Sequence, residues 1–190
     1  MKKLFSVLMV AVAVLFVQCN ASAQQFLIEP DGVGPIRHGV YVDKLPQSVA
    51  GLYDSREMLE EYDDMEDEYR YTCYFKLNGD MRVIADLNED GMVCNVLTTG
   101  GEIRSKSGAY DPMPAREFIL LPGIKTVVNP DMDYFQIRFQ IDGLDVLIDY
   151  YQFSAEGQKK YDAALQSGVA PKFVPADFNA ESYIMINREY

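Results

Sequence analysis

Between residues 69 and 77 the chain alternates. Tyr69, Tyr71, Cys73, Phe75 and Leu77 are separated by Arg70, Thr72, Tyr74 and Lys76. A period of two is the mark of a half-buried strand. Asn78-Gly79 follows, the dipeptide that a type I′ turn selects because both of its central residues need positive φ. Residues 81–87 then return as the partner strand, Asn88-Glu89-Asp90-Gly91 turns the chain again, and residues 92–98 make a third strand that ends at Gly100-Gly101. The pattern predicts a three-stranded antiparallel meander.

The second half repeats these signals. Residues 113–121 suit a short helix stopped by Pro122-Gly123, and residues 124–128 a short strand. Phe135, Ile137, Phe139 and Ile141 line one face of a strand over 134–141, Asp142-Gly143 is a second hairpin signal, and residues 144–153 form the return strand. Ser154 stands where an N-cap hydroxyl would accept a free first-turn amide. A helix over 155–166 follows, with Gly168 as its stop, and a last strand runs over 182–187. The two hairpins lie 64 residues apart in sequence, which suggests a weak internal repeat. The expected fold class is α+β: antiparallel sheets built of hairpins, with a few short helices.

Other stretches are less regular. Residues 24–42, punctuated by Pro30, Gly32, Gly34 and Pro35, read as an irregular lead-in with short extended pieces. Residues 43–53 leave room for a short helix. Residues 54–68 carry nine acids, and Met58, Leu59, Tyr62, Met65 and Tyr69 recur at spacings of three and four. That spacing predicts a helical stripe, frayed or loosened into an acidic loop by repulsion between like charges.

The first 23 residues read as a secretory leader. Lys2 and Lys3 precede an apolar run over 4–17, and Ala21-Ser22-Ala23 is a small-x-small cleavage site. The run is too short for a bilayer, which takes about 20 apolar residues. The alternative is a lipid anchor on Cys19. The chain thus divides into a leader over 1–23, a first α+β half over 24–107 and a second over 108–190. Export places it in the periplasm or outside the cell.

Charge narrows the partners. The formal charge of −12 deepens by two when Lys2 and Lys3 leave with the leader. A polyanion of this size repels phosphate backbones and anionic lipid, which excludes nucleic acid as a natural partner and leaves basic proteins and divalent cations.

Few residues offer catalytic chemistry. His38 is the only histidine, so metal sites of several His and nucleophile–histidine pairs have little to draw on. No nucleophile elbow, P-loop or dinucleotide fingerprint occurs. Asp86-Leu87-Asn88-Glu89-Asp90-Gly91 matches the start of a calcium loop. Asp86, Asn88 and Asp90 would be its ligands, although position twelve is Leu97 rather than Glu. The plainer reading of the same residues is a hairpin turn. Without Trp, and with 13 Tyr, contact with a partner falls to tyrosines off the core face: Tyr74, Tyr150 and Tyr151.

Cys73 and Cys94 would remain in the exported chain. In a meander with ideal turns Cys73 faces Ile84 and Cys94 faces Ala85, on strands one and three. Strands about 4.8 Å apart put the two roughly 10 Å from each other, beyond the reach of about 7 Å that a disulfide tolerates.

The stretch Ile36-Arg37-His38-Gly39-Val40-Tyr41-Val42-Asp43-Lys44-Leu45 resembles the "Ile-x-x-Gly-Met-x-x-x-x-Leu" segment of small exported bacterial proteins of the BamE and β-lactamase-inhibitor-protein-like type. Val93 to Val96, Gly101 to Arg104 and Gly108 resemble a periplasmic lipoprotein family. The resemblance implies an extended segment entering a helix that packs on an antiparallel sheet, and protein binding in the envelope without catalysis. Taken together, the sequence points to a non-catalytic exported binding or scaffold protein of the bacterial envelope. The alternatives are a small carboxylate-dependent hydrolase of envelope polymers and a calcium-stabilised module.

Overall fold

The computed structural model describes residues 26–64 and 67–187. The leader, its cleavage site and Cys19 lie outside the described residues. Three antiparallel sheets carry most of the architecture, so the α+β class holds with the balance well toward sheet. Among the described residues no helix is long and apolar enough to cross a membrane.

The lead-in folds into a miniature sheet of three two-residue strands, β1 (Ile28–Glu29), β2 (Gly32–Val33) and β3 (Ile36–Arg37). Gly32 is required there: at φ +146° a Cβ would stand 2.1 Å from the Ile36 carbonyl oxygen. Arg37 spans the sheet's turns, pairing with Glu29 and Asp31 and donating to the Gly34 carbonyl at 2.7 Å. Backbone bonds from Gly39 N to Val93 O and from Val93 N to Val40 O, each 2.9 Å, fasten the lead-in to the main sheet.

That sheet runs β4 (Ser55–Asp63), β5 (Glu68–Leu77), β6 (Asp80–Leu87) and β7 (Val93–Thr98) in sequence order. The meander therefore has four strands, not three, because residues 55–63 of the acidic run form an edge strand rather than a frayed helix or loop. In an extended chain its carboxylates divide between two faces and meet cations across the ladder. Lys76 pairs with Glu57, and Arg70 reaches Asp63 at 2.7 Å. Met58 and Tyr62 fall on the face of Cys73, Tyr71 and Tyr69, with Met58 opposite Cys73 and Tyr62 opposite Tyr69. Cross-strand pairing of this kind outweighs the weak helical stripe.

Two bulges reset the expected register. Arg82 is passed over between Lys76↔Met81 and Phe75↔Val83, so Cys73 faces Ala85 rather than Ile84. Cys94 is itself passed over between Asp86↔Asn95 and Leu87↔Val93, and Ala85 faces Val96. An extra residue accommodated in one strand shifts every later pair by one. The two cysteines are free thiols, on β5 and β7 with β6 between them.

Residues 43–53 do not form the short helix expected of them. A 3-10 turn, Val42–Lys44, is followed by a tight loop closed by Val49–Tyr53 backbone bonds of 2.8 and 3.0 Å. Pro46 offers no amide to a helix, and the buried Tyr53 donates its hydroxyl to the Pro46 carbonyl at 2.7 Å.

The second large sheet orders β8 (Lys125–Val128), β9 (Ile137–Ile141), β10 (Leu144–Leu147) and β11 (Met185–Asn187) as neighbours. Short helix α1 (Ala115–Phe118) precedes it, and α2 (Ala155–Ser167) is inserted before β11. Both hairpin dipeptides adopt paired positive φ as expected, Asn78/Gly79 at 53° and 86° and Asp142/Gly143 at 54° and 82°. Ser154 caps α2 by accepting from Gly157 N at 3.2 Å, and Gly168 ends it in the left-handed conformation. The return strand stops at Leu147, and Tyr150–Gln152 winds instead into a 3-10 turn whose Asp149 accepts from Tyr151 N. Residues 134–136, expected in β9, belong to the loop before it.

One contiguous core joins the pieces. It extends from Phe26 through Phe75 and Val96 to Phe139, Phe178 and Ile186. Tyr53 packs edge-on to Phe75 at 4.9 Å in the first half. In the second, Phe139 contacts Phe118, Phe173 and Phe178 at 5.7 to 6.4 Å.

Candidate functional site

Two surfaces gather the residues that sequence reasoning singled out, and they lie on different sheets. The first is the far end of the β4–β5 ribbon. At its base Arg56 donates to the Val42 carbonyl at 2.5 Å, and Cys73 and Phe75 are buried. Further out the same face leaves the core. Met58 is 52% exposed, Tyr62 46% and Tyr69 56%. Tyr62 and Tyr69 stack edge-on at 5.1 Å, and Tyr71 continues the row at 6.5 Å from Tyr69. The Tyr62 hydroxyl donates to Asp67, which raises its pKa. Desolvation and the charges of Glu60 and Glu89 raise that of Tyr71. Both phenols are thereby held in their neutral form.

As the end strand of its sheet, β4 pairs with β5 alone among the described residues. Its other edge offers backbone groups to whatever lies beside it. Tyr74, a predicted contact residue, is half-buried on the ribbon's opposite face, across from Glu57.

The second surface is a cleft of about 320 Å³ in the second half. Tyr150 and Tyr151, the other predicted contacts, line it with Tyr134, Phe135 and Tyr161. The three tyrosines of the 3-10 turn and α2 pack edge to face: Tyr150 lies 5.7 Å from Tyr151 and 5.2 Å from Tyr161. The Tyr161 hydroxyl accepts from Ile137 N at 3.3 Å and the Tyr150 hydroxyl donates to Asp162 at 3.2 Å. Tyr74 therefore does not join Tyr150 and Tyr151. Sequence reasoning missed Tyr134 because alternation placed residues 134–141 in one strand, whereas Phe135 takes φ +46° and breaks the pattern.

The calcium-loop residues are spread out. Asp86 sits on β6 and accepts from Asn95 Nδ2 at 3.1 Å. Asn88 Oδ1 accepts from Asp90 N at 3.1 Å and Met92 N at 2.9 Å. Its oxygen thus closes its own turn. Among the described residues no group of three or more His, Cys, Asp and Glu side chains is disposed to hold a metal. His38 is exposed after β3, its backbone amide bonded to the Asp31 carbonyl at 2.8 Å. Burial pushes the Cys73 thiol up to about 11, which removes it as a thiolate nucleophile at neutral pH.

Comparison of the chain with protein-family models, with curated proteins and with solved structures returned no match.

Proposed function

We propose that this chain is a non-catalytic exported binding protein of the bacterial cell envelope, and that it holds a basic, extended segment of a protein partner along the β4 edge. The observation that carries this reading is the conjunction on one ribbon of an open nine-residue strand edge with exposed Met58, Tyr62 and Tyr69. An added strand would gain main-chain hydrogen bonds, with alternate side chains reading the exposed face. The acids set the partner's sign. Glu60, Glu61 and Glu68 enter no ion pair among the described residues, so lysines or arginines on the incoming strand would meet charges not already neutralised. The same acids oppose pairing of two copies through this edge, because like charges would face each other.

Export rests on the leader pattern, with cleavage near Ala23 or, in the alternative, an anchor on Cys19. The envelope setting rests on the resemblance of residues 36–45 to the BamE-like segment. The test is a titration of the chain with a synthetic peptide of alternating Lys and Thr, followed by amide exchange. Binding should slow exchange along β4, and E60K/E61K should weaken it by about tenfold or more at low salt. Equal binding by the charge-reversed variant, or protection elsewhere than β4, would refute the reading.

A further inference from the structure

The cleft below the Tyr150–Gln152 turn has a chemistry separate from the ribbon. Five aromatic rings line it: Tyr134, Phe135, Tyr150, Tyr151 and Tyr161. Three carboxylates share the lining, Asp133, Asp149 and Asp162, and among the described residues no lysine or arginine does. Nearby cations are engaged elsewhere. Lys160 bonds Asp177 at 2.8 Å, Lys159 pairs with Glu156 at 3.3 Å, and Arg138 with Asp145 at 3.1 Å. Among the described residues the one cation held over a ring is Arg104 on Tyr110, outside this cleft. Desolvation and the Asp162 carboxylate hold the Tyr150 hydroxyl in its neutral form, so the negative charge of the cleft resides on the aspartates.

We infer that this cleft binds an organic ammonium group, its positive head set among the tyrosine faces and its charge met by the aspartates at the wall. The faces of aromatic rings carry the negative lobe of the quadrupole and attract ammonium ions. Carboxylates without a protein counter-ion add a long-range field of the same sign. Edge-to-face packing fixes Tyr150 against both Tyr151 and Tyr161, so part of the cage is ordered before a ligand arrives. Tyr134 and Tyr151, each 80% exposed, leave ring surface open to it. A volume of about 320 Å³ is at the small end of ligand clefts, roughly 300–1,000 Å³, and suits one small head group.

The chemistry is shared by quaternary ammonium compounds and by lysine-type primary amines, and the experiment separates them. The intact chain is titrated by NMR with choline, with n-butylammonium, with the neutral choline isostere 3,3-dimethylbutan-1-ol and with calcium chloride. Saturable shifts of Tyr134, Tyr150 and Tyr151 by either ammonium, and none by the isostere, are expected. Tighter choline binding assigns a quaternary head; tighter n-butylammonium binding assigns a lysine-type amine. Y151A and D162N should each weaken binding about three- to fivefold, the scale of one exposed cation–π or ionic contact, whereas Y151F, which keeps the ring, should retain it. Tyr134→Ala, at an equally exposed side chain, repeats the test if Y151A is poorly folded. Equal binding of the neutral isostere, absence of shifts with both ammonium ions, or displacement of choline by calcium with the same shifts would overturn the assignment.

Discussion

The Ser105 hydroxyl donates to Asp142 Oδ2 at 2.6 Å, joining the loop after the first large sheet to the β9–β10 turn 37 residues later. Ser107 adds its backbone amide to the same oxygen at 2.6 Å and its hydroxyl to Oδ1 at 2.8 Å. The residue that the hairpin needs for its left-handed backbone thus also clasps the two halves together.

This clasp gives stability a pH dependence. Desolvation pushes the Asp142 carboxyl up, but the bonds from Ser105 and Ser107 and the charge of Lys106 outweigh it, and the net shift is downward. A carboxyl whose folded pKa is depressed contributes stability above its unfolded pKa, about 3.9, and loses it as pH falls through the folded value. D142N, which keeps the turn conformation, should therefore be less stable than the native chain at neutral pH. The difference should shrink below about pH 4. Denaturant melts of both chains across that range measure it; a gap independent of pH would show that the charge is not involved.

Gly157 meets a different constraint. It lies inside α2, yet a Cβ there would stand 2.0 Å from the Asp177 backbone oxygen. G157A gains about 1 kcal/mol of helix propensity, but the helix must move off the Pro175–Asp177 turn. We expect a net loss on the order of 1–3 kcal/mol, read from urea unfolding.

The neighbouring Lys160–Asp177 pair should be asymmetric to mutation. Asp177 is buried and also accepts from Val174 N at 2.7 Å, while Lys160 is about one-third exposed. K160M leaves a buried carboxylate without its cation and should cost on the order of 1–3 kcal/mol, discounted for the exposure of the lysine. The double variant K160M/D177N should recover part of that loss in a double-mutant cycle.

The two thiols should differ in reactivity. Cys73 is fully buried and its pKa is pushed up to about 11, whereas Cys94 is half-buried on its bulge. In native protein a small alkylating reagent should modify Cys94 first and Cys73 only on unfolding. Peptide mapping without reductant should recover no Cys73–Cys94 bridge.

Asn88 is expected to behave as a turn residue. N88A removes the acceptor of two backbone amides and should lower stability by about 1 kcal/mol. Millimolar calcium should leave the melting temperature of both chains nearly unchanged; a calcium-dependent rise lost in N88A and D86A would establish the metal reading instead.

Local chemistry was enough to read the hairpins and α2 from sequence. Asn78-Gly79 and Asp142-Gly143 specify turns through the φ values that their residues tolerate, and Ser154 and Gly168 bound a helix through a hydroxyl and a missing Cβ. Such signals depend on neighbours a few positions away. The acidic run was not legible in this way, because as an isolated segment its charges repel in a helix and its apolar spacing still hints at one. Only β5, which brings Lys76 and Arg70 diagonally within reach of Glu57 and Asp63 and sets Tyr69 opposite Tyr62, makes an extended strand the better state. The register around Cys73 and Cys94 was lost to bulges at Arg82 and Cys94, which no local motif announces. The cleft is the clearest case. Tyr134, Tyr150 and Tyr161 come from a loop, a turn and a helix, and their shared surroundings exist only once the chain has folded back over more than one element. Sequence alone settled the local backbone states at the turns and caps; tertiary packing decided which charges and rings would meet.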